Sequence, residues 1–168
     1  MSRCVIFDCD GTLVDSEVLC NLGLEIKLKE LGIQADSKLM ADRFRGWKLA
    51  DIVDVLSVEF NLNLDDTFIT SYRKLVGDLF NSQLKAIPNV AIALTEIPQP
   101  KCVASNAPLD KIKQAVKATK LECFFDSNLF NAYTVQAWKP EPDLFLYAAD
   151  MMGIKPKDCV VVEDSILY

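Results

Sequence analysis

The sequence predicts an α/β protein with a parallel sheet and a helical insert after the first strand. Apolar runs typical of buried strands occur at residues 4–7, 101–104 and 159–162. After residue 88 such runs alternate with helical patterns, and this alternation favours a parallel sheet. A length of 168 residues is enough for a core domain and a small insert.

The insert is predicted to be helical from end to end. Residues 16–31 have the spacing of a helix that starts with Ser16 as its N-cap and ends at Gly32. No run in the insert is typical of a strand. Further helical patterns cover residues 37–44, 48–60 and 66–84.

The helical insert divides the core into two segments. We assign residues 1–15 and 88–168 to the core domain and residues 16–87 to a cap domain, with Pro88 at the boundary. The elements expected after the insert are, in order, a helix at 89–97, a strand at 101–104, a helix at 109–121, a short strand at 126–130, a helix at 142–152 and a strand at 159–162.

Composition excludes several classes of function. The net charge of −6 argues against a surface for nucleic acid or anionic membranes, and no apolar run approaches the roughly 20 residues that span a bilayer. The N-terminal residues lack a signal-peptide pattern, so we expect a cytoplasmic protein. The six cysteines form no C-x-x-C pair and are expected to be free thiols. Because histidine is absent, catalysis has to depend on carboxylates, hydroxyls, lysines or an oxygen-bound metal.

The strongest functional signal is the run Asp-Cys-Asp-Gly-Thr-Leu directly after the first strand. Asp8 and Asp10 follow the carboxyl end of this strand, which is where open α/β sheets bind ligands. Gly11 then allows a sharp backbone turn. Two carboxylates this close repel each other unless a cation or a phosphate-binding site offsets their charge.

Two later strands also end in polar pairs. Ser105 and Asn106 follow the second strand, and Glu163 and Asp164 follow the last one. Because the carboxyl ends of parallel strands meet at one edge of the sheet, we expect these side chains to share a pocket with the first motif. Clustered hard oxygen ligands of this kind suit Mg²⁺. Lys139, in the run Trp-Lys-Pro-Glu-Pro, is the candidate cation that balances so acidic a pocket.

Taken in order, these four motifs resemble the signatures of the haloacid dehalogenase superfamily of phosphohydrolases. The resemblance extends over residues 4–165 and implies a Rossmann-like α/β core with a helical cap inserted after the first motif. It also implies a nucleophile at Asp8, a general acid/base at Asp10 and a group that binds the transferring phosphoryl at Ser105. Asn106, beside Ser105, is a candidate substrate-binding residue.

The same resemblance implies a cofactor and a class of substrate. Lys139 would balance the charge, and the reaction would be Mg²⁺-dependent hydrolysis of a small phosphorylated metabolite through a phosphoaspartyl intermediate. No nucleic-acid or membrane partner is expected. The implied Mg²⁺ ligands are Asp8, Asp10 through its backbone carbonyl, Glu163 and Asp164.

A more specific likeness involves the run Arg-Phe-Arg-Gly-Trp-Lys-Leu at 43–49. Together with the first and third motifs, it is similar to the bacterial 6-phosphogluconate phosphatase subgroup of the superfamily. In related capped enzymes this loop faces the active site, so the resemblance makes Arg45 and Lys48, together with Arg43, candidates to bind an anionic substrate. A sugar phosphate or a phosphosugar acid such as 6-phosphogluconate is the expected substrate.

Alternative activities stay open at this point. A β-phosphoglucomutase-like mutase shares the motifs but carries a histidine in the helix after the first one, where this chain has Cys20. A phospho-accepting domain of the receiver type also combines strand-end acids with hydroxyl and lysine side chains, but it lacks the helical insert. Dehalogenases of the superfamily lack the second aspartate, so Asp10 argues against them.

The resemblance also predicts an incomplete core. Members of the superfamily continue beyond the last motif with a helix, a strand and a further helix, so the last strand and helices of the core are expected to be missing. An inactive fragment is therefore another alternative. We expect a monomer, with self-association through the apolar edge of the strand at 159–162 as the alternative state.

Overall fold

The computed structural model describes residues 3–45 and 47–165, and the chain divides into two compact units. We call Ser16–Gln83 the helical unit, and the rest of the chain, Met1–Asp15 with Leu84–Tyr168, the core unit. No helix among the described residues is both long and apolar enough to cross a bilayer.

The chain re-enters the core unit at Leu84, ahead of the boundary that was predicted at Pro88. Backbone pairing accounts for the difference, because the N–H of Asp15 donates to the carbonyl of Lys85 at 3.0 Å. The residues just before Pro88 are thus hydrogen-bonded to the end of the first motif, a long-range pairing that local sequence patterns do not reveal.

Four helices form the helical unit: α1 (Glu17–Glu30), α2 (Ser37–Arg43), α3 (Leu49–Phe60) and α4 (Asp66–Gln83). Helices α1 and α4 approach closely at Gly23, where a Cβ atom would lie 2.7 Å from Cγ2 of Val76. Ser16 occupies the N-cap position of α1 as predicted, but its side chain makes no capping hydrogen bond, since its backbone is helical (φ −88°, ψ −24°) rather than extended. The carboxylate of Asp36 does cap α2.

A four-stranded parallel sheet lies at the centre of the core unit, as the sequence predicts. Its strands are β1 (Cys4–Phe7), β2 (Lys101–Ser105), β3 (Leu129–Asn131) and β4 (Cys159–Val162), in the order β3-β2-β1-β4. Phe7 pairs with Val103 of β2 and with Val162 of β4. The carboxyl ends of β1 and β4 are therefore in register, so the residues that follow these two strands are neighbours. The carboxyl end of β2 lies at the same edge of the sheet.

Helices and turns surround this sheet in the core unit. The predicted helices are present as α5 (Val90–Glu96), α6 (Leu109–Ala118) and α8 (Asp143–Met151). The sequence patterns missed the shorter elements, because one turn of helix has too few residues to show a period. These are the helix α7 (Ala132–Val135) and the 3₁₀ turns Glu122–Phe124 and Pro156–Asp158.

Apolar and thiol side chains fill the core beneath the sheet. Cys4 and Cys102 are fully buried in it, and all six cysteines of the chain are free thiols. Burial raises the pKa of the Cys4 thiol, which keeps it protonated. Strand β4 lies at the end of the sheet, where Val160, Val161 and Val162 are 46%, 42% and 36% exposed.

Candidate active site

A buried lysine links the ends of two neighbouring strands. The ammonium Nζ of Lys139 donates to Oδ1 of Asp8 and, at 2.8 Å, to Oε2 of Glu163. Lys139 is 4% exposed and Asp8 is 6% exposed. Charges this deeply buried are tolerated only when they are paired and hydrogen-bonded.

The parallel pairing of β1 with β4 explains why the two carboxylates meet. Phe7 is in register with Val162, so Asp8 and Glu163 are the next residue on each strand. The pairing continues by one hydrogen bond past the strand end, since the N–H of Asp8 donates to the carbonyl of Val162 at 2.9 Å. Lys139 comes from the segment between α7 and α8, and its ammonium lies 5.3 Å from the centre of the Phe145 ring.

The electrostatics of this cluster favour a protonated Asp8 in the absence of a further cation. The pKa of Asp8 is raised from 3.8 to about 7, chiefly by burial; the ammonium of Lys139 opposes this, and the charges of Glu163 and Asp10 add to it. Burial acts to lower the pKa of Lys139, but its two carboxylate partners outweigh burial and raise it. Lys139 therefore stays an ammonium, whereas the ionised form of Asp8 is disfavoured chiefly by burial and to a lesser degree by the charges of Glu163 and Asp10.

The carboxylates have the arrangement that a hard cation needs. Asp8, Glu163 and Asp164 each offer an oxygen within 4.8 Å of the others. The hydroxyl of Thr12 donates to Oδ1 of Asp164 at 3.2 Å. Three carboxylates facing one ammonium leave a net negative charge, and all the donors are oxygens. This set of donors fits Mg²⁺.

Gly11 makes room for this arrangement. Its φ of +89° is a conformation that residues with side chains avoid, and a Cβ atom here would lie 2.7 Å from Cγ of Asp164. Any side chain at this position would push the carboxylate of Asp164 away from its partners. The first motif therefore needs glycine for space as well as for its turn.

The second aspartate of the first motif has a different environment. Oδ1 of Asp10 lies 3.1 Å from Nζ of Lys111, and both side chains are partly exposed. Lys111 lies in the first turn of α6, the helix that follows Ser105. The sequence analysis did not single out this lysine. Its place in the first turn of the helix that follows Ser105 is the one sequence feature that could have pointed to it.

The polar pair after β2 lies beside these groups in the fold. Ser105 is buried at the end of β2, and its Oγ accepts a hydrogen bond from the N–H of Ala107 at 3.0 Å. The carboxamide of Asn106 contacts the backbone of Lys139: Oδ1 accepts from its N–H at 2.8 Å, and Nδ2 donates to its carbonyl at 3.3 Å. Substrate binding by Asn106 stays a prediction, and the observed partner of its carboxamide is the backbone of Lys139.

The candidate substrate-binding cations of the insert belong to the helical unit. Arg45 is exposed and lies 3.8 Å from a carboxylate oxygen of Asp42. Lys48 is exposed at the start of α3, and Arg43 pairs with Glu59 at 2.6 Å. Gly46, which belongs to the same predicted loop, lies outside the described residues.

Comparison with known proteins identifies the class to which this fold and site belong. The model of the family "haloacid dehalogenase-like hydrolase" matches residues 2–167. The chain belongs to this family, and the resemblance seen in its motifs is confirmed.

Two relatives of the chain are named as phosphatases. The chain is 40% identical to the 6-phosphogluconate phosphatase of Escherichia coli (strain K12), over 99% of this chain and 76% of that protein. It is 27% identical to the fructose-1-phosphate phosphatase YqaB of the same organism, over 96% and 86% of the two chains. A haloacid dehalogenase-like protein of unknown function from Agrobacterium tumefaciens has a similar crystal structure, with a TM-score of 0.85 and 30% identity over 99% of this chain and 76% of that one. The family and its named members support a phosphatase activity for this chain.

A substitution at Gly11 tests the cation site. We expect Gly11→Ala to lower stability by about 1 kcal/mol or more through its positive φ. We also expect Mg²⁺ affinity to fall by about tenfold or more, because the new Cβ displaces Asp164. Gly153→Ala is the matched control, since Gly153 also has a positive φ (+67°) but its Cβ would meet nothing within 4 Å. Unfolding and calorimetric Mg²⁺ titration of both variants provide the measurements; equal Mg²⁺ affinities would contradict the assignment.

The raised pKa of Asp8 predicts a pH-dependent stability in metal-free protein. Between the unfolded value of 3.8 and the folded value of about 7, the folded state holds a proton that the unfolded state has lost. Stability therefore falls as pH rises through this window, by at most roughly 4 kcal/mol. The Asp8→Asn variant lacks this contribution, so its free energy of unfolding relative to wild type should increase from pH 4.5 to pH 7.5. Parallel profiles for the two proteins would show that Asp8 ionises normally.

Proposed function

We propose that this protein is a Mg²⁺-dependent phosphatase that hydrolyses a small phosphorylated metabolite through a phosphoaspartyl intermediate. The observation that carries the proposal is the buried cluster in which Lys139 bridges Asp8 and Glu163, beside the third carboxylate of Asp164. In this proposal the cluster supplies a nucleophile, a counter-charge and a set of metal ligands at one edge of the sheet.

Asp8 is the proposed nucleophile. One of its carboxylate oxygens attacks phosphorus, the bond from phosphorus to the ester oxygen breaks, and an acyl phosphate forms on Asp8. The ammonium of Lys139 already contacts Asp8, so it offsets the charge that the phosphoryl group brings into the pocket. We assign Ser105, buried at the end of β2, to binding of the phosphoryl oxygens.

Asp10 is the proposed general acid and base. It gives a proton to the leaving oxygen in the first step and takes one from the water that attacks the acyl phosphate in the second, which releases phosphate and restores Asp8. Its partial exposure suits an exchange of protons with water. Lys111, 3.1 Å from Oδ1 of Asp10, would orient this carboxylate.

A bound Mg²⁺ would be held by Asp8, Glu163, Asp164 and the backbone carbonyl of Asp10, and it would neutralise negative charge on the phosphoryl oxygens. The fit of three closely spaced carboxylates and the raised pKa of Asp8 support this assignment. The three carboxylates outnumber the ammonium of Lys139, so a further cation would balance the charge of the pocket.

The substrate that we propose is a sugar phosphate or a phosphosugar acid, with 6-phosphogluconate as the first candidate. The support is the identity of 40% to a protein named 6-phosphogluconate phosphatase. We further propose that Arg45 and Lys48 of the helical unit bind the anionic end of such a substrate. A mutase of the β-phosphoglucomutase type has less support, because the chain has no histidine. The alternative of a receiver-type domain does not hold, since the chain belongs to the hydrolase family.

We also propose that the enzyme acts in the cytoplasm, as a monomer. All six cysteines are free thiols, as is usual for proteins of a reducing compartment.

Turnover of p-nitrophenyl phosphate tests the chemistry. We expect hydrolysis that requires Mg²⁺ and that falls by roughly a thousandfold or more in Asp8→Asn, since that amide cannot form the acyl phosphate. Asp15→Asn is the matched control, because Asp15 is an exposed acid at the end of the same motif segment. Equal loss in both variants, or turnover that survives in Asp8→Asn, would refute the proposed nucleophile. No turnover even in wild type would refute the phosphatase proposal.

The substrate assignment has its own test. We expect Arg45→Ala and Lys48→Ala each to raise KM for 6-phosphogluconate by about tenfold, which is the effect of losing a charge-assisted hydrogen bond, and to change kcat little. Lys38→Ala removes an exposed lysine from α2 and should leave KM unchanged. An unchanged KM in Arg45→Ala and Lys48→Ala would refute the proposal that these two side chains bind the substrate.

A further inference from the structure

We infer that Asn106 is a positioning residue, which fixes the backbone of Lys139 so that its ammonium reaches Asp8 and Glu163. The inference rests on the proposed function, in which Lys139 serves the reaction. It assigns Asn106 a different task from the substrate contact suggested by its place beside Ser105.

The geometry of the two hydrogen bonds carries the inference. The N–H of Lys139 donates to Oδ1 of Asn106 at 2.8 Å, and the carbonyl of Lys139 accepts from Nδ2 at 3.3 Å. These two groups belong to the peptide units on either side of the Lys139 Cα. One carboxamide therefore restrains both φ and ψ of this residue, and with them the direction in which its side chain leaves the backbone.

The position of Lys139 in the fold makes such a restraint necessary. Lys139 lies between α7 and α8, outside every helix and strand of the core unit described above. Its long side chain must still place Nζ within hydrogen-bond distance of two carboxylates in a buried site. A lysine side chain has large conformational freedom to lose, so a fixed backbone reduces the cost of holding it in one geometry.

Asn106 is suited to this restraint because it follows β2 directly. Strand β2 pairs with β1, the strand that carries Asp8. Both partners of the ion pair are thus attached to the same two strands. Lys139 is hydrogen-bonded to Asn106 after β2, and Asp8 directly follows β1.

The chain offers a matched control residue, Asn131. Asn131 is the last residue of β3 and is buried, whereas Asn106 is half-buried, and Asn131 also uses both ends of its carboxamide. Its Oδ1 accepts from the N–H of Thr134 at 3.1 Å, and its Nδ2 donates to the hydroxyl of Thr134 at 2.9 Å. The first of these hydrogen bonds caps α7. Asn131→Ala therefore removes a similar pair of hydrogen bonds that do not hold Lys139.

The first measurement is amide hydrogen exchange at Lys139 in full-length wild type, Asn106→Ala, Asn106→Asp and Asn131→Ala. We expect Asn106→Ala to speed exchange of the Lys139 amide by about tenfold, which corresponds to the loss of one hydrogen bond. Asn106→Asp keeps an acceptor oxygen and should restore most of the protection. Asn131→Ala should leave the Lys139 amide unchanged. Unchanged exchange in Asn106→Ala would overturn the inference.

The second measurement is kinetic, with p-nitrophenyl phosphate and Mg²⁺. Asn106→Ala should lower kcat by about 10- to 100-fold with KM altered little, as expected when a supporting residue is lost. In a Lys139→Ala background the same change should cost less than twofold, because the side chain that Asn106 positions is gone. An equal loss in both backgrounds, or a loss confined to KM, would show that Asn106 contacts the substrate itself and would overturn the inference.

The two measurements separate this inference from the proposed function. Absence of Mg²⁺-dependent turnover in wild type would refute the phosphatase proposal, whereas the exchange rates would still decide whether Asn106 holds Lys139. If Asn106→Ala lowers Tm more than Asn131→Ala does, the Asn106→Asp variant is measured in the same two assays. Because it restores an acceptor oxygen, the exchange protection of the Lys139 amide and kcat should recover together. Recovery of protection without recovery of kcat would count against a positioning role.

Discussion

The buried ammonium of Lys139 is the interaction on which the rest of the site depends. It joins the ends of β1 and β4 through Asp8 and Glu163, and it comes from a connecting segment that Asn106 ties to the end of β2. Breaking a buried ion pair from one side leaves an uncompensated charge, at a cost of roughly 3–5 kcal/mol. The groups proposed to carry the chemistry are therefore also groups that hold this edge of the sheet together.

The two aspartates of the first motif are placed in contrasting environments, although only one residue separates them. Asp8 is buried among like charges and one ammonium, and its pKa is raised to about 7. Asp10 is partly exposed and paired with Lys111. Asp8 would be ionised, and therefore suited to nucleophilic attack, once a cation is bound beside it. Asp10 lies near solvent and is suited to proton exchange. These two environments suit the separate roles that we propose for Asp8 and Asp10.

Local patterns predicted much of this fold and part of its site. Apolar runs located β1, β2 and β4, because buried strands need continuous apolar residues, and the polar residues after each run identified Asp8, Ser105 and Glu163. Lys111 and the contact of Asn106 with the backbone of Lys139 were not predicted, since both depend on partners far along the chain. The hydrogen bond between Asp15 and Lys85 was not predicted for the same reason.

The sequence by itself determined the order of the elements, the helical insert and the identity of the acidic motifs, because these depend on residue type and short-range spacing. The tertiary structure decided which of those residues meet. The parallel register of β1 with β4 brought Asp8 level with Glu163, and the path of the segment after α7 brought Lys139 between them. Burial then raised the pKa of Asp8, and burial is a property of the packed molecule that no single stretch of sequence contains.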